Sequence, residues 1–269
     1  MKRIPATAKI NLTLVVGRRR SDGKHEVATV LQRIDLVDRV SIEAGPCLAV
    51  SGFPEDTLVR AALLALAEEA GVEANWAVRI EKRIPLAAGL GGGSSDAAAA
   101  LRLANDTLTE PVPAERLHAL AAGIGSDVPF FLAQGPQLAN GDGTELSSVD
   151  LPQDFWIVLV LPTGTAKSST AQVYEAYEGA AGFAQRKAEL TKALAMARRP
   201  SDLAALPAND LASSPLADEL RELGAFRADV TGAGPTVYGL FVRRERAESA
   251  RRAVANRGRT WLTVPTWYG

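Results

Sequence analysis

The run Pro85-Leu86-Ala87-Ala88-Gly89-Leu90-Gly91-Gly92-Gly93-Ser94-Ser95-Asp96 places four glycines in five positions, directly before an alanine-rich stretch from Ala97 to Leu108 that reads as a helix. Glycines bare the backbone N–H groups, and a helix start adds the positive end of its dipole. The two converge on one spot and make an anion site suited to phosphate. Ser94 and Ser95 stand at the junction, where hydroxyls bond phosphate oxygens or touch a metal that the phosphates hold. Asp96 is a third candidate metal ligand. The competing reading is a turn into a helix capped by Ser95 or Asp96, but a cap needs one such residue and no glycine cluster ahead of it.

Spacing excludes two better-known phosphate loops. A Walker A loop needs Gly-Lys-Ser or Gly-Lys-Thr, and neither occurs; Gly164-Thr165-Ala166-Lys167-Ser168 comes nearest, with Ala166 where the second glycine belongs. Gly89 and Gly91 begin a dinucleotide fingerprint, but Ser94 holds its third glycine position. At Gly92 a β-branched side chain is expected to collide with phosphate and to forbid a positive φ.

The chain has 269 residues, a net charge of −1 and 47% hydrophobic residues, which suits one large or two modest domains with a sizeable core. Near-neutral charge argues against a nucleic-acid partner, and Arg18-Arg19-Arg20, next to Ser21-Asp22-Gly23, reads as a solvated hairpin tip. One cysteine, Cys47, and two histidines allow no intrachain disulfide and no Cys/His metal cluster. Lys9 and Asn11 interrupt the apolar segment after Met1, so a secretory signal is not expected. The apolar run Trp156 to Leu161 is far short of a membrane span. A cytoplasmic protein without membrane contact, monomer or homodimer, is the expectation.

Residues Ala8 to Val16 alternate, predicting a strand with one buried face: Ile10, Leu12, Leu14 and Val16 inward, Lys9, Asn11 and Thr13 on the polar side. Strands are further predicted over Val27 to Leu36, Arg39 to Glu43, Trp76 to Glu81 and Trp156 to Leu161. Helices are predicted over Asp56 to Glu69 with Gly71 as C-cap, Pro113 to Ala122, Thr170 to Ala180, Gln185 to Ala197, Leu216 to Leu223 and Arg244 to Arg257. Gly135 to Ser148 reads as a hairpin or loop. Ala228 to Thr231 and Thr236 to Val242 flank the turn Gly232-Ala233-Gly234-Pro235 as strands. The domain boundary is expected near Asp150 to Asp154, giving units 1–152 and 153–269.

Asp127 lies in Gly125-Ser126-Asp127-Val128-Pro129-Phe130, a carboxylate before an apolar stretch whose desolvation would suit a general base. A helix N-cap or turn aspartate competes, and the residues alone favour it. Lys9 with Asn11 on one strand face is a weak site signal, and His25 after a turn is commonly just solvated. The two glycine-bearing turns, at 89–93 and 232–234, suit a polyphosphate gripped from two sides, as phosphoryl transfer requires.

Ala8-Lys9-Ile10-Asn11-Leu12, Asp22-Gly23-Lys24-His25, Leu90 to Ala98, Gly125 to Phe130 and Thr231 to Thr236 together resemble the GHMP superfamily of small-molecule kinases, nearly end to end. Within it the chain is most similar to the branch acting on a cytidylated methylerythritol. The resemblance implies an α+β, two-domain fold: a ribosomal S5-like N-terminal domain, a ferredoxin-like C-terminal domain and a cleft between them. It implies ATP with Mg²⁺ as donor and a small-molecule alcohol as acceptor. Pro85, Gly89, Leu90, Gly91, Gly92, Gly93, Ser94 and Ser95 would wrap the triphosphate, with Leu58 near the nucleotide. Asp127 would be the base and Lys9 its cationic partner. Asn11, Lys24, His25, Thr170, Tyr174, Gly232 and Gly234 would serve the cytidine diphosphate acceptor, with Tyr174 stacked on cytosine.

Three positions depart from that pattern. Lys24 stands where an aromatic usually completes the cytosine sandwich, Thr57 replaces an asparagine beside the nucleotide base, and Ala87-Ala88 replace glycines with no expected consequence. Lys24 keeps open another kinase of the superfamily, of mevalonate or homoserine type, or its decarboxylase branch. A non-catalytic nucleotide-binding regulator is a third reading, against which Lys9 and Asp127 both speak.

Overall fold

The computed structural model describes residues 1–53, 56–164, 170–177 and 181–266. Among them, β1 (Lys2–Arg19) and β2 (His25–Ala44) form a long antiparallel pair, joined by β3 (Ala49–Ser51), β4 (Trp76–Glu81), β5 (Gln137–Gly141) and β6 (Glu145–Ser148) in one six-stranded sheet. One edge of β2 pairs with β1; the other takes β4 and then β5. Helices α1 (Leu58–Ala70), α2 (Gly92–Asn105), α3 (Ala114–Ile124) and α4 (Val128–Leu132) bury their apolar stripes against one face of this sheet.

A second, four-stranded sheet runs β10-β7-β9-β8, built from β7 (Trp156–Pro162), β8 (Arg227–Val230), β9 (Val237–Phe241) and β10 (Gly258–Thr263). Its connections carry α5 (Thr170–Glu175), α6 (Phe183–Met196), α7 (Pro215–Glu222) and α8 (Arg244–Ala253). Ala8, Ile10, Leu12, Ala28, Val30 and Ile34 of the first sheet pack against Ile157, Leu159, Tyr238 and Leu240 of the second. The second sheet's other face packs on α7 and α8 through Val158, Val160, Leu220, Phe241 and Ala250.

The expectation of one buried face on β1 fails in two ways. Ala6 to Gly17 are all buried, Lys9, Asn11 and Thr13 included, because layers cover both sides. A bulge also falls between Asn11 and Thr13, where two steps on β1 oppose one on β2. It turns the strand over. Leu12 stays with the inter-sheet core, while Leu14 and Val16 join a separate cluster with Val27, Tyr174, Tyr177 and Leu211.

Among the described residues only β2 pairs with β1 as a strand, so the outer edge of β1 would expose unpaired backbone. Other parts of the chain seal it. Lys9 N–H donates to the Leu90 carbonyl (3.0 Å) and Asn11 N–H to Thr231 Oγ1 (2.9 Å). Beyond the bulge the even residues take over: the Leu12 carbonyl accepts from Tyr238 Oη (3.0 Å), the Leu14 carbonyl from Asp210 N–H (2.9 Å), and Val16 N–H donates to Asp210 Oδ2 (2.8 Å).

Other boundaries move for local reasons. The two strands predicted over 27–43 are one strand, β2, because the chain stays extended through a bulge at Asp35 and Leu36, and Val37 and Asp38 pair again with Thr7 and Ala6 of β1. α2 opens at Gly92, not Ala97, with Gly91 as N-cap in place of Ser95 or Asp96. α8 ends at Ala253 and β10 follows, a strand hidden by the charge of its neighbours. α1 matches its prediction, with Gly71 left-handed at its C-cap. The far end of the helix predicted to Ala180, and most of the Gly164 to Ser168 run, lie outside the described residues.

Tyr238 is fully buried; its hydroxyl donates to Leu12 and accepts from Arg227 Nε. Tyr238→Phe strands both partners, and urea denaturation should show a loss of about 1–3 kcal/mol. A change below about 0.5 kcal/mol would mean that the edge of β1 does not need this seal.

Candidate active site

The loop from β4 to α2 turns on two left-handed glycines, Gly89 (φ +78°) and Gly91 (φ +71°). A Cβ on Gly89 would lie 2.7 Å from the Gly234 carbonyl, and one on Gly91 3.0 Å from Lys9 Cγ and from Phe131. The first glycine loop therefore rests on the second glycine turn, and both touch the Lys9 strand. Gly92 and Gly93 belong to α2, so the expectation of a positive φ at Gly92 is wrong; its constraint is Ile84, 3.0 Å from a Cβ placed there. Ala87 adopts φ +60°, where L residues are strained, so the alanine in this loop is not without consequence.

A cleft of about 540 Å³ opens beside this loop, and Gly89, Gly91, Ser94, Gly232 and Gly234 line it. Leu90 is buried and contributes its carbonyl to Lys9. Ser95 and Asp96 are buried inside α2. Pro85 is half-buried at the start of the loop and does not line the cleft, nor does Leu58, whose Cδ1 stands 3.3 Å from a Cβ on Gly93.

Lys9 reaches into the cleft from β1. Its Nζ donates to Asn11 Oδ1 (2.8 Å) and lies 3.3 Å from Asp127 Oδ2. Asn11 Nδ2 donates to Thr29 Oγ1 (2.8 Å), which donates to the Thr13 carbonyl (2.6 Å). The Thr231 hydroxyl donates to Asn11 Oδ1 (3.3 Å). Lys9 is thus held by bonds that leave its ammonium facing a carboxylate. Asp127 stands at the N-cap position of α4, as the competing reading has it, but its carboxylate makes no capping bond and is left to face Lys9. Its side chain is 37% exposed to the cleft, so the carboxylate is partly, not fully, withdrawn from solvent.

At the other end, His25 and Tyr174 stack at 5.5 Å and 37°, and Tyr177 meets His25 edge-on at 6.3 Å. Burial, with the Asp127 charge adding to it, holds the Tyr174 phenol well above its usual range. Thr170 lines the same end. Lys24 Nζ donates to Asp142 Oδ2 (2.6 Å) across the mouth. Burial alone would raise Asp142, but hydrogen bonds from Lys24 and Thr144 bring it down to about 2.

A buried charge cluster beneath the loop was not foreseen. Lys82 Nζ bridges Asp38 and Asp96, at 2.7 Å from Asp96 Oδ2, and Asp38 Oδ1 also accepts from the N–H groups of Arg83 and Ile84 (2.8 Å for the latter). The cluster ties β2, the start of the loop and α2 together. Burial and the Asp38 charge push Asp96 up to about 7 against the pull of Lys82. The signal in the sequence was Lys82 three residues ahead of Pro85; nothing local pointed to Asp38. Among the described residues no group of three or more acidic, His or Cys side chains is placed to hold a metal, and no helix is long and apolar enough to cross a membrane.

Residues 57–135 match the GHMP kinases N terminal domain and residues 186–260 the GHMP kinases C terminal domain. A 4-diphosphocytidyl-2-C-methyl-D-erythritol kinase from Geobacter sulfurreducens is 38% identical, covering 97% of this chain and 96% of its own. The chain belongs to the GHMP kinase family. It is an ATP-dependent small-molecule kinase with the two-domain fold of that family. A relative of the same name from Anaeromyxobacter dehalogenans is 41% identical over 94% of this chain and 85% of its own. The crystal structure of a 4-(cytidine 5'-diphospho)-2C-methyl-D-erythritol kinase superposes with a TM-score of 0.78 at 29% identity, covering 98% of this chain and 99% of that one. Homoserine kinase from Cytophaga hutchinsonii gives 0.77 over 98% and 94% at 17% identity, a likeness of fold alone.

Two outcomes follow from this geometry. Asp96 is raised when folded, against about 3.8 when unfolded, so the folded chain holds an extra proton between those values. The stability it confers is full below about 4 and is lost as pH rises through about 7. In urea titrations from pH 4 to 8, Asp96→Asn should abolish that decline; an unchanged pH slope would exclude Asp96 as its source. Ala87→Gly should relieve the left-handed strain and raise stability by up to about 1 kcal/mol, and a loss of stability would contradict the strain.

Proposed function

We propose that this kinase transfers the γ-phosphoryl group of ATP to the 2-hydroxyl of 4-diphosphocytidyl-2-C-methyl-D-erythritol, a step in isoprenoid precursor synthesis by the non-mevalonate route. The observation that carries this reading is the Lys9–Asp127 pair, 3.3 Å apart, set between a glycine cradle and the His25–Tyr174 stack in one cleft. The acceptor is the one for which relatives matched along nearly their whole length are named.

In this reading the amides of the Gly89 to Ser94 loop and the start of α2 hold the triphosphate, Pro85 and Ser95 shape the loop, and Leu58 packs near the nucleotide. The fit rests on backbone approach: a side chain on Gly89 or Gly91 would fill space that their neighbours already occupy. Asp127 accepts the proton of the acceptor hydroxyl as the hydroxyl oxygen bonds to the γ-phosphorus and the bond from that phosphorus to the β–γ bridging oxygen breaks, releasing ADP. The Lys9 ammonium balances the carboxylate and the charge on the transferring group. His25 and Tyr174 receive the cytosine ring, with Asn11, Thr170, Gly232 and Gly234 along the acceptor and the Lys24–Asp142 pair at its far side. Mg²⁺, carried on the phosphates, would neutralise phosphate charge. Of its three candidate ligands Ser94 fits best, since it alone lines the cleft. The division into units 1–152 and 153–269 places one sheet in each.

Turnover with the cytidylated methylerythritol, and none with mevalonate or homoserine, is the expected result of a coupled ADP-release assay. Turnover only with one of the latter overturns the assignment. Asp127→Asn should lower kcat by about 10²–10⁴ while ATP still binds in calorimetry; near-normal turnover would remove Asp127 from the base role.

A further inference from the structure

Arg33 is 1% exposed, and among the described residues no carboxylate pairs with it. In the β1–β2 ladder it stands directly opposite Lys9, so both side chains leave the sheet on the same face. Lys9 meets Asp127, the residue before α4. Arg33 meets the other end of that helix: its Nη2 donates to the carbonyls of Phe130 (2.9 Å) and Ala133 (2.6 Å). Its guanidinium lies 5.3 Å from the Phe130 ring and 5.8 Å from the Phe131 ring. Phe131 in turn borders Gly91 of the glycine loop.

We propose that Arg33 is a positioning residue for Asp127: one rung of the ladder grips α4 at both ends, Lys9 at the carboxylate and Arg33 at the last carbonyls. The signs agree with the helix, whose C-terminal carbonyls attract a cation. Burying a cation with no carboxylate partner is costly, and Arg33 Nε and Nη1 have no hydrogen-bond partner. An apolar side chain would fill the space without that cost, so a role in placing α4 accounts for the guanidinium. Burial lowers Arg33 to about 10, which leaves it charged at neutral pH.

This inference rests on Asp127 being the base, and the test separates the two. Wild type, Arg33→Met, Arg33→Lys and Asp127→Asn are compared at saturating ATP and acceptor, with amide hydrogen exchange followed over residues 128–133. Arg33→Met should lose about tenfold or more in kcat with each KM within about threefold. Exchange in α4 should quicken by about tenfold or more, with α2 unchanged. Arg33→Lys, reaching one carbonyl, should fall between, and it carries the test if Arg33→Met does not fold. Unchanged α4 exchange, or kcat within about twofold of wild type, overturns the positioning role. Normal turnover in Asp127→Asn overturns the base alone, and the exchange measurement then decides on Arg33.

Discussion

The sealed outer edge of β1 is the constraint on which the rest of this structure depends. An edge strand with free N–H and C=O groups needs partners, and here the partners are the parts of the cleft themselves. Leu90 of the glycine loop, Thr231 of the second turn, Tyr238 of β9 and Asp210 all bond to this one edge. Strand, loop and turn are therefore fixed relative to one another by hydrogen bonds to the main chain of β1. The side chain that emerges from the middle of that strand, Lys9, inherits the precision.

The bulge after Asn11 adds a second consequence. It lets one strand place Lys9 and Asn11 in the cleft, bury Ile10 and Leu12 between the sheets, and still return Leu14 and Val16 to the side of Tyr174 and Tyr177. Charges are arranged by the same economy. Cations held inside the fold among the described residues are each assigned: Lys9 to Asp127 and Asn11, Lys82 to Asp38 and Asp96, Arg33 to the end of α4, and Arg227 to Asp229 and the Leu206 and Pro207 carbonyls. The glycine loop thus lies between two helices whose starts, α2 and α4, are both anchored through ion pairs.

Much of this was legible in residue order. The glycine cluster, the Lys-x-Asn strand and the second glycine turn carried the family resemblance, and β4, β7 and α1 came out of periodicity and punctuation. What was not legible depends on contacts between distant segments. Alternation over Ala8 to Val16 cannot reveal a bulge, because the extra residue shows only against β2. Nor can it reveal that the polar face is buried, which requires α2 and α4 to lie across it. Asp38 and Lys82 are 44 residues apart, and Arg33 acts on a helix about 100 residues away. Residue order marks Gly91 only as one glycine of the cradle; its place as a left-handed N-cap follows from Lys9 and Phe131 packed against it.

The central claim is that ATP and a cytidine diphosphate acceptor meet at Lys9 and Asp127. A crystal structure with a non-hydrolysable ATP analogue and the cytidylated methylerythritol tests it most directly. The account predicts the 2-hydroxyl oxygen within about 3 Å of an Asp127 carboxylate oxygen, the cytosine against His25 and Tyr174, and the triphosphate on the Gly89 to Ser94 amides. An acceptor bound elsewhere, or one whose hydroxyl faces away from Asp127 with both ligands in place, would contradict it.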